Sequence, residues 1–230
     1  MGEHCAYALA REGCNLALTA RSEPELESVA KRCRERGAKQ VVVLPADFRD
    51  MSAVGKLVDS CVTALGGLNI LVSNAGVYHY GPTAKAHYTD WEEMFDVNVR
   101  AAMRLTREAV APIVKGAEGK PGRGAVIYIT SRAAMNTFRG GSGYCASKQA
   151  LAGFAGALFE DIAESGVKVS VIKPGWTNTE MVAWMHVDKS MMIQPSEVAE
   201  LVRIIATWPD GSCPREILLT PQRVPKKLPH

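Results

Sequence analysis

The feature that most constrains this chain is an alternation. Short apolar runs of strand length, rich in Val, Ile and Leu, recur between longer stretches with helical periodicity from one end of the sequence to the other. Parallel strands need a crossover between them, and a helix is the crossover that also covers the sheet, so this pattern points to an α/β fold with helices on both faces. Strands are expected near Asn15 to Thr19, Gln40 to Leu44, Asn69 to Ser73, Ala125 to Thr130, Lys168 to Ile172 and Glu216 to Leu219. Helices are expected near Glu3 to Arg11, Pro24 to Arg36, Ser52 to Leu65, Trp91 to Lys115, Tyr144 to Ser165 and Ser196 to Trp208. Pro24 suits a first helical turn, where its missing N–H costs nothing. Lys115 to Gly124 reads as a surface loop from its glycines and proline. A length of 230 residues fits one such domain spanning 1–230.

Composition removes several function classes. The net charge of +3 is spread along the chain rather than gathered into a basic stripe, which argues against a nucleic-acid partner. Six cysteines lie far apart with no CxxC pair, which fits reduced thiols better than a disulfide framework or a zinc site. No apolar run approaches the roughly 18 residues that span a bilayer, and the opening residues lack the basic-then-apolar order of a secretory signal. Ala6 stands where a myristoylation motif wants Ser or Thr. The expectation is a soluble, cytoplasmic chain with no membrane partner.

The chemistry is concentrated in Thr130 to Ala150. Tyr144 and Lys148 are four residues apart, so on a helix they project from one face about one turn apart. Ser131 ends the preceding expected strand. This order and spacing resemble the short-chain dehydrogenase/reductase family, whose Ser and Tyr-x-x-x-Lys pattern matches Ser131, Tyr144 and Lys148. Reducing a carbonyl by hydride leaves an alkoxide that must be protonated, and a free phenol near pKa 10 is a poor acid-base at neutral pH. A neighbouring ammonium favours the phenolate, so Lys148 is expected to lower the Tyr144 pKa. Ser131 would hold the substrate oxygen near the tyrosine hydroxyl. In the family an asparagine on the preceding long helix completes the set by holding a water that relays protons to the lysine; Asn98 matches it.

The same resemblance implies a Rossmann-type doubly wound parallel sheet and a nicotinamide cofactor. Ser73-Asn74-Ala75-Gly76 looks like the family's NNAG motif, with Ser73 replacing the first Asn; Asn74, Ala75 and Gly76 would let the cofactor approach the backbone while Asn74 steadies adjacent strands. Asp47 matches the family's adenine-contacting acid, with Phe48 beside it. Pro174 and Gly175 match the motif after the sixth family strand, followed by Thr177, which replaces a more usual aliphatic residue, and Thr179. Cofactor choice turns on the strand ending Ala20-Arg21-Ser22. An NAD enzyme normally places an acid there, whereas Ala20 offers none and Arg21, helped by Ser22, suits the 2′-phosphate of NADP(H). Tyr144 and Lys148 are also expected to contact the cofactor.

The sequence departs from the family at its start. The family opens with a strand leading into a glycine-rich loop whose amides hold the pyrophosphate at a helix N-terminus. Here Gly2 matches the last of those glycines, so the first, central strand and most of the loop are missing, which leaves a slot between the family's second and fourth strands. The expectation is an N-terminally truncated domain, unstable or cofactor-poor unless another segment fills the slot. The leading functional expectation is an NADP(H)-dependent carbonyl reductase acting on a small-molecule carbonyl or alcohol. The alternative is a catalytically impaired Rossmann-like isoform with a binding or regulatory role. The apolar wall Val77 to Tyr80, Ala133 to Asn136 and Trp176 to Met185 would line the substrate pocket, and family members often pair their long helices into homodimers or homotetramers.

Overall fold

A computed structural model of the protein describes residues 1–118, 123–184 and 187–223. Residues 119–122, within the loop expected at Lys115 to Gly124, and Met185, at the end of the expected pocket wall, lie outside them. The described elements, in order, are α1 (Gly2–Arg11), β1 (Leu16–Leu18), α2 (Glu23–Glu35), β2 (Val41–Val43), α3 (Met51–Leu65) and β3 (Ile70–Ser73). They continue with α4 (Tyr88–Phe95), a π-helical turn (Asp96–Arg100), α5 (Ala101–Ala117), β4 (Ala125–Ile129), α6 (Ser142–Ile162), β5 (Lys168–Pro174), α7 (Pro195–Ala206) and β6 (Glu216–Leu219).

Local chemistry sets the helix limits. The Asp50 carboxylate accepts from the Ser52 and Ala53 amides at 2.8 and 3.1 Å and so opens α3, while Gly66, at φ 77°, takes the left-handed turn that closes it. Pro195 occupies the first turn of α7, and the Gln194 and Glu197 side chains cap reciprocally. The long helix expected over Trp91 to Lys115 begins earlier, at Tyr88, and is interrupted by the π-turn around Asn98.

All described strand pairs are parallel. Strands β3, β4, β5 and β6 form one sheet in that order, and every residue of β4 is buried. The alternation of side chains sends Ala125, Ile127 and Ile129 to one face, against a core drawn from α1 and α7. Val126 and Tyr128 go to the other, against α3, α5 and α6. Burial on both faces is why this strand reads as an unbroken apolar run. The one polar tip there, the Tyr128 hydroxyl, is 2.7 Å from Thr106 Oγ1.

Strands β1 and β2 form a separate two-stranded sheet, so the expected slot is present: no pairing joins β1 to β3. A cavity of about 980 Å³ runs between them. The two sheets are held in one body by helices. Helix α1 packs against α2 over the small sheet and against α7 over the large one. Ion pairs reinforce both contacts, Glu3 with Arg32 at 3.2 Å and Glu12 with Arg203 at 3.1 Å. On the opposite face α3 contacts β1, β2 and α5.

Because Leu9 of α1 lines the cavity and Leu151 of α6 is closed in on all sides, the same truncation should cost differently at the two positions. Leu151→Ala is expected to cost about 3–5 kcal/mol and Leu9→Ala about 2 kcal/mol, since Leu9 already lacks neighbours on one side. Urea unfolding of both variants measures this, and equal losses would contradict the cavity.

Candidate active site

The site forms at the C-terminal ends of the parallel strands, where open α/β sheets place their ligands. Strand β3 delivers Asn74, Ala75 and Gly76, β4 delivers Ser131, and β5 ends at Pro174. Helix α6 then brings Tyr144 and Lys148 back over these ends from its first two turns. Both side chains are buried, and Lys148 Nζ sits 5.6 Å from the centroid of the Tyr144 ring, so the two share one face of the helix. Ser131 lies close enough to the Tyr144 phenol to oppose the rise in its pKa, and its Oγ accepts from the Ala133 amide at 3.1 Å, so it caps the short turn after β4 as well as standing by the phenol.

Asn98 is fully buried in the π-turn. Its Oδ1 accepts from the Val77 amide at 2.7 Å, and its Nδ2 donates to the Val77 carbonyl and to Ser147 Oγ, both at 3.0 Å. Ser147 Oγ in turn donates to the Tyr144 carbonyl at 2.8 Å. One carboxamide therefore ties the loop after β3 to the first turn of α6. A π-turn is uncommon and its placement often marks function; here it swings Asn98 into that loop. The close approach explains Gly76, because a Cβ there would lie 3.0 Å from Lys148 Nζ and 3.2 Å from Asn98 Oδ1.

The electrostatics differ from the expectation at one point. Burial is the largest influence on Tyr144 and pushes its phenol above the ordinary value, with the Ser131 hydrogen bond opposing. Lowering by Lys148 is not found in this structure, because the same burial acts on the lysine and brings it down to about 8. Lys148 thus holds its proton at neutral pH and releases it in mildly alkaline solution. Tyr78 adds to the apolar setting, its ring standing edge-on to that of Tyr144 at 4.9 Å between centroids and 6.3 Å from Phe138.

The expected cofactor residues fall into two groups. Gly2, Arg21, Asp47, Phe48, Asn74, Ala75 and Gly76 all line the cavity between the sheets. Ser22 does not line it; it stands at the start of α2 without a side-chain capping bond. Pro174, Gly175, Thr177 and Thr179 also lie outside its lining. Thr177 is buried and spends its hydroxyl on the Gly175 carbonyl at 3.1 Å, and Thr179 Oγ1 lies 3.4 Å from the Thr177 carbonyl. The strand-steadying role expected of Asn74 has no side-chain hydrogen bond behind it among the described residues, and its Oδ1 is buried without a partner. Gly2 starts α1 against this side chain, where a Cβ would lie 2.8 Å from Asn74 Nδ2.

Sequence reasoning missed Ser147 and Arg49. Both lie within a helical turn or a tight turn of a chosen residue, at i+3 from Tyr144 and i+2 from Asp47, which is the only signal the sequence carried. The Arg49 guanidinium and amide both bind the Asp47 carboxylate and hold it down at about 2. Its folded-state pKa is depressed, so the stability this pair contributes is present above the ordinary carboxylate range and is lost as pH falls through about 2. Arg49→Ala is expected to return Asp47 toward the ordinary value of about 4. Its stability deficit should then close as pH falls from about 4 toward 2, and carboxyl NMR titration with acid unfolding checks both.

Comparison with known proteins bears on the family and the fold. The family described as short chain dehydrogenase matches residues 1–189. The glycine betaine reductase of Emericella nidulans is 31% identical over 98% of this chain, which spans only 18% of that fungal protein. An uncharacterized oxidoreductase of Staphylococcus aureus is 26% identical, covering 96% of this chain and 92% of its own. Among solved structures, a dehydrogenase/reductase of Sinorhizobium meliloti is 29% identical with a TM-score of 0.83, covering 94% of this chain and 88% of that one. A metagenomic short-chain oxidoreductase solved in complex with NADP is 27% identical with a TM-score of 0.81, covering 96% and 92%. The chain belongs to the short-chain dehydrogenase/reductase family of oxidoreductases.

Proposed function

We propose that the protein is an NADP(H)-dependent oxidoreductase that interconverts a carbonyl and a secondary alcohol. The observation that carries this reading is the close approach of Lys148 and Asn98 to Gly76, part of the cavity wall, with the Tyr144 ring beside Lys148 and Ser131 beside the phenol. The residues present suit a dinucleotide. Arg21 stands at one end of the cavity, and the residue before it at the strand terminus is Ala20 rather than an acid. The first turn of α1, without a side-chain cap, offers free amides to a diphosphate, and Gly76 brings the other end against Lys148. The NADP complex of the metagenomic relative supports the same choice of cofactor.

When bound, the cofactor supplies or accepts the hydride. The chain's own residues do the rest. Ser131 orients the substrate oxygen, and the Tyr144 hydroxyl, kept protonated at neutral pH by its burial, donates its proton to that oxygen during reduction. Lys148, charged at neutral pH, stabilises the phenolate that results. Asn98 and Ser147 fix the turn of α6 that carries both. Tyr78 and Phe138 give the phenol an apolar approach, which favours an apolar carbonyl substrate.

Six unpaired thiols support a reducing, cytoplasmic setting, and no helix among the described residues is long and apolar enough to cross a membrane. Phe95 and Met103, exposed along the α4–α5 helix, support pairing of that helix in a homodimer or homotetramer. A second reading, a binding or regulatory role without turnover, draws on the division of the sheet in two.

Tyr144→Phe is expected to keep NADPH affinity and lose NADPH oxidation against a panel of ketones and aldehydes; retained turnover would remove Tyr144 from the proposed role. Arg21→Ala should weaken NADPH about 10- to 100-fold, the loss of one charge-assisted contact, and leave NADH unchanged. Equal effects on the two cofactors would contradict the phosphate contact.

A further inference from the structure

The loop after β3 carries Tyr78 to the phenol of Tyr144, and the two neighbours of Tyr78 are anchored by different chemistry. Val77 is pinned by Asn98, whose Oδ1 accepts from the Val77 amide at 2.7 Å and whose Nδ2 donates to the Val77 carbonyl at 3.0 Å. Both bonds join neutral amides and are indifferent to pH. His79 is pinned by charge. Its Nε2 lies 2.7 Å from Glu93 Oε2 and its Nδ1 lies 3.8 Å from Asp90 Oδ1. The two carboxylates stand three residues apart on α4 and so share one face of that helix. Between the anchors the Tyr78 ring meets the Tyr144 ring edge-on, with 4.9 Å between centroids.

Asp90 and Glu93 are the charged groups in contact with the imidazole among the described residues. Behind them Arg49, from the loop after β2 and itself held by Asp47, faces the other Glu93 oxygen at 3.7 Å, which leaves Oε2 to His79. An imidazolium carries an N–H on each nitrogen and can satisfy both carboxylates. A neutral imidazole carries only one, so its second nitrogen then turns a lone pair toward a carboxylate and one contact is lost. Histidine is the side chain that makes this change between about pH 5 and 8. Of the two anchors of Tyr78, the one at His79 therefore responds to pH. We propose that His79 is a pH-sensitive positioning residue: its charged form, held by Glu93 and Asp90, keeps Tyr78 against Tyr144, and loss of the proton lets the loop relax away. For substrate this rests on the oxidoreductase reading of the site, in which the charged form tightens binding of an apolar carbonyl compound and leaves the proton-transfer residues themselves unchanged.

The test follows the Tyr78–Tyr144 ring contact by NMR in the intact, ligand-free protein with labelled tyrosines, from about pH 5.5 to 8, and in parallel the KM for an apolar ketone at saturating NADPH. In the native chain the contact is expected to weaken and KM to rise about two- to fivefold as pH climbs, the size expected of partly exposed ion pairs, while kcat follows a separate curve set by Lys148. His79→Gln, which carries no charge, should show the weak contact and the higher KM at every pH. His79→Arg, which stays charged and offers donors to both carboxylates, should show the strong contact and the lower KM at every pH. A ring contact in the native chain that does not change with pH overturns the proposal, as does a pH dependence that survives in both variants or a KM that stays flat while the contact changes. A pH-dependent contact that is lost in both variants, in a protein that turns over no ketone, supports the role of His79 and counts against the oxidoreductase reading alone.

Discussion

Everything in this molecule depends on how two parallel sheets that share no hydrogen bonds are kept side by side. The work falls to helix α1, whose small buried residues Ala6, Ala8 and Ala10 let it sit close over the junction while its ends are held by Arg32 on one side and Arg203 on the other. Helix α3 braces the opposite face. Backbone pairing ordinarily fixes the spacing of neighbouring strands at about 4.8 Å; here side-chain packing substitutes for it and leaves a channel between them. The strand ends that carry the active site, β3 on the large sheet and β1 and β2 on the small one, are consequently positioned by helices rather than by one another.

Within the large sheet the catalytic end is far better fixed. Asn98 reaches from the π-turn to the loop after β3 and to Ser147, and Gly76 is small enough to let that loop lie against Lys148. These contacts do not cross the channel, so the residues proposed for acid-base chemistry are held independently of what joins the sheets. The end of the cavity proposed for the adenosine depends on it, because Arg21 and Asp47 follow the strands of the small sheet.

Much of this was legible in the sequence. The sequence pattern located all six strands among the described residues, because each is a short Val-, Ile- or Leu-rich run set between longer helical patterns. The Tyr144–Lys148 spacing predicted their proximity, because a helix turns a four-residue interval into a shared face. What the sequence hid was quantitative or relational. That burial would outweigh the lysine's effect on Tyr144 depends on how much apolar surface surrounds the phenol, and Tyr78 and Phe138 arrive there from distant segments. The π-turn leaves no mark on hydrophobic periodicity, since it shifts one turn without changing which residues are apolar. Arg49 binding Asp47 is a choice of rotamer in a loop, which no pattern encodes.

The account's central claim is that hydride reaches a substrate carbon while Tyr144 supplies the proton to its oxygen. The most direct measurement is the fate of the label when a ketone is reduced with NADPH deuterated at its hydride-donating carbon. The account predicts deuterium on the carbinol carbon of the product and a hydroxyl proton drawn from solvent. An alcohol whose carbinol carbon carries hydrogen from water, with the label retained on the cofactor or lost to solvent, would contradict it.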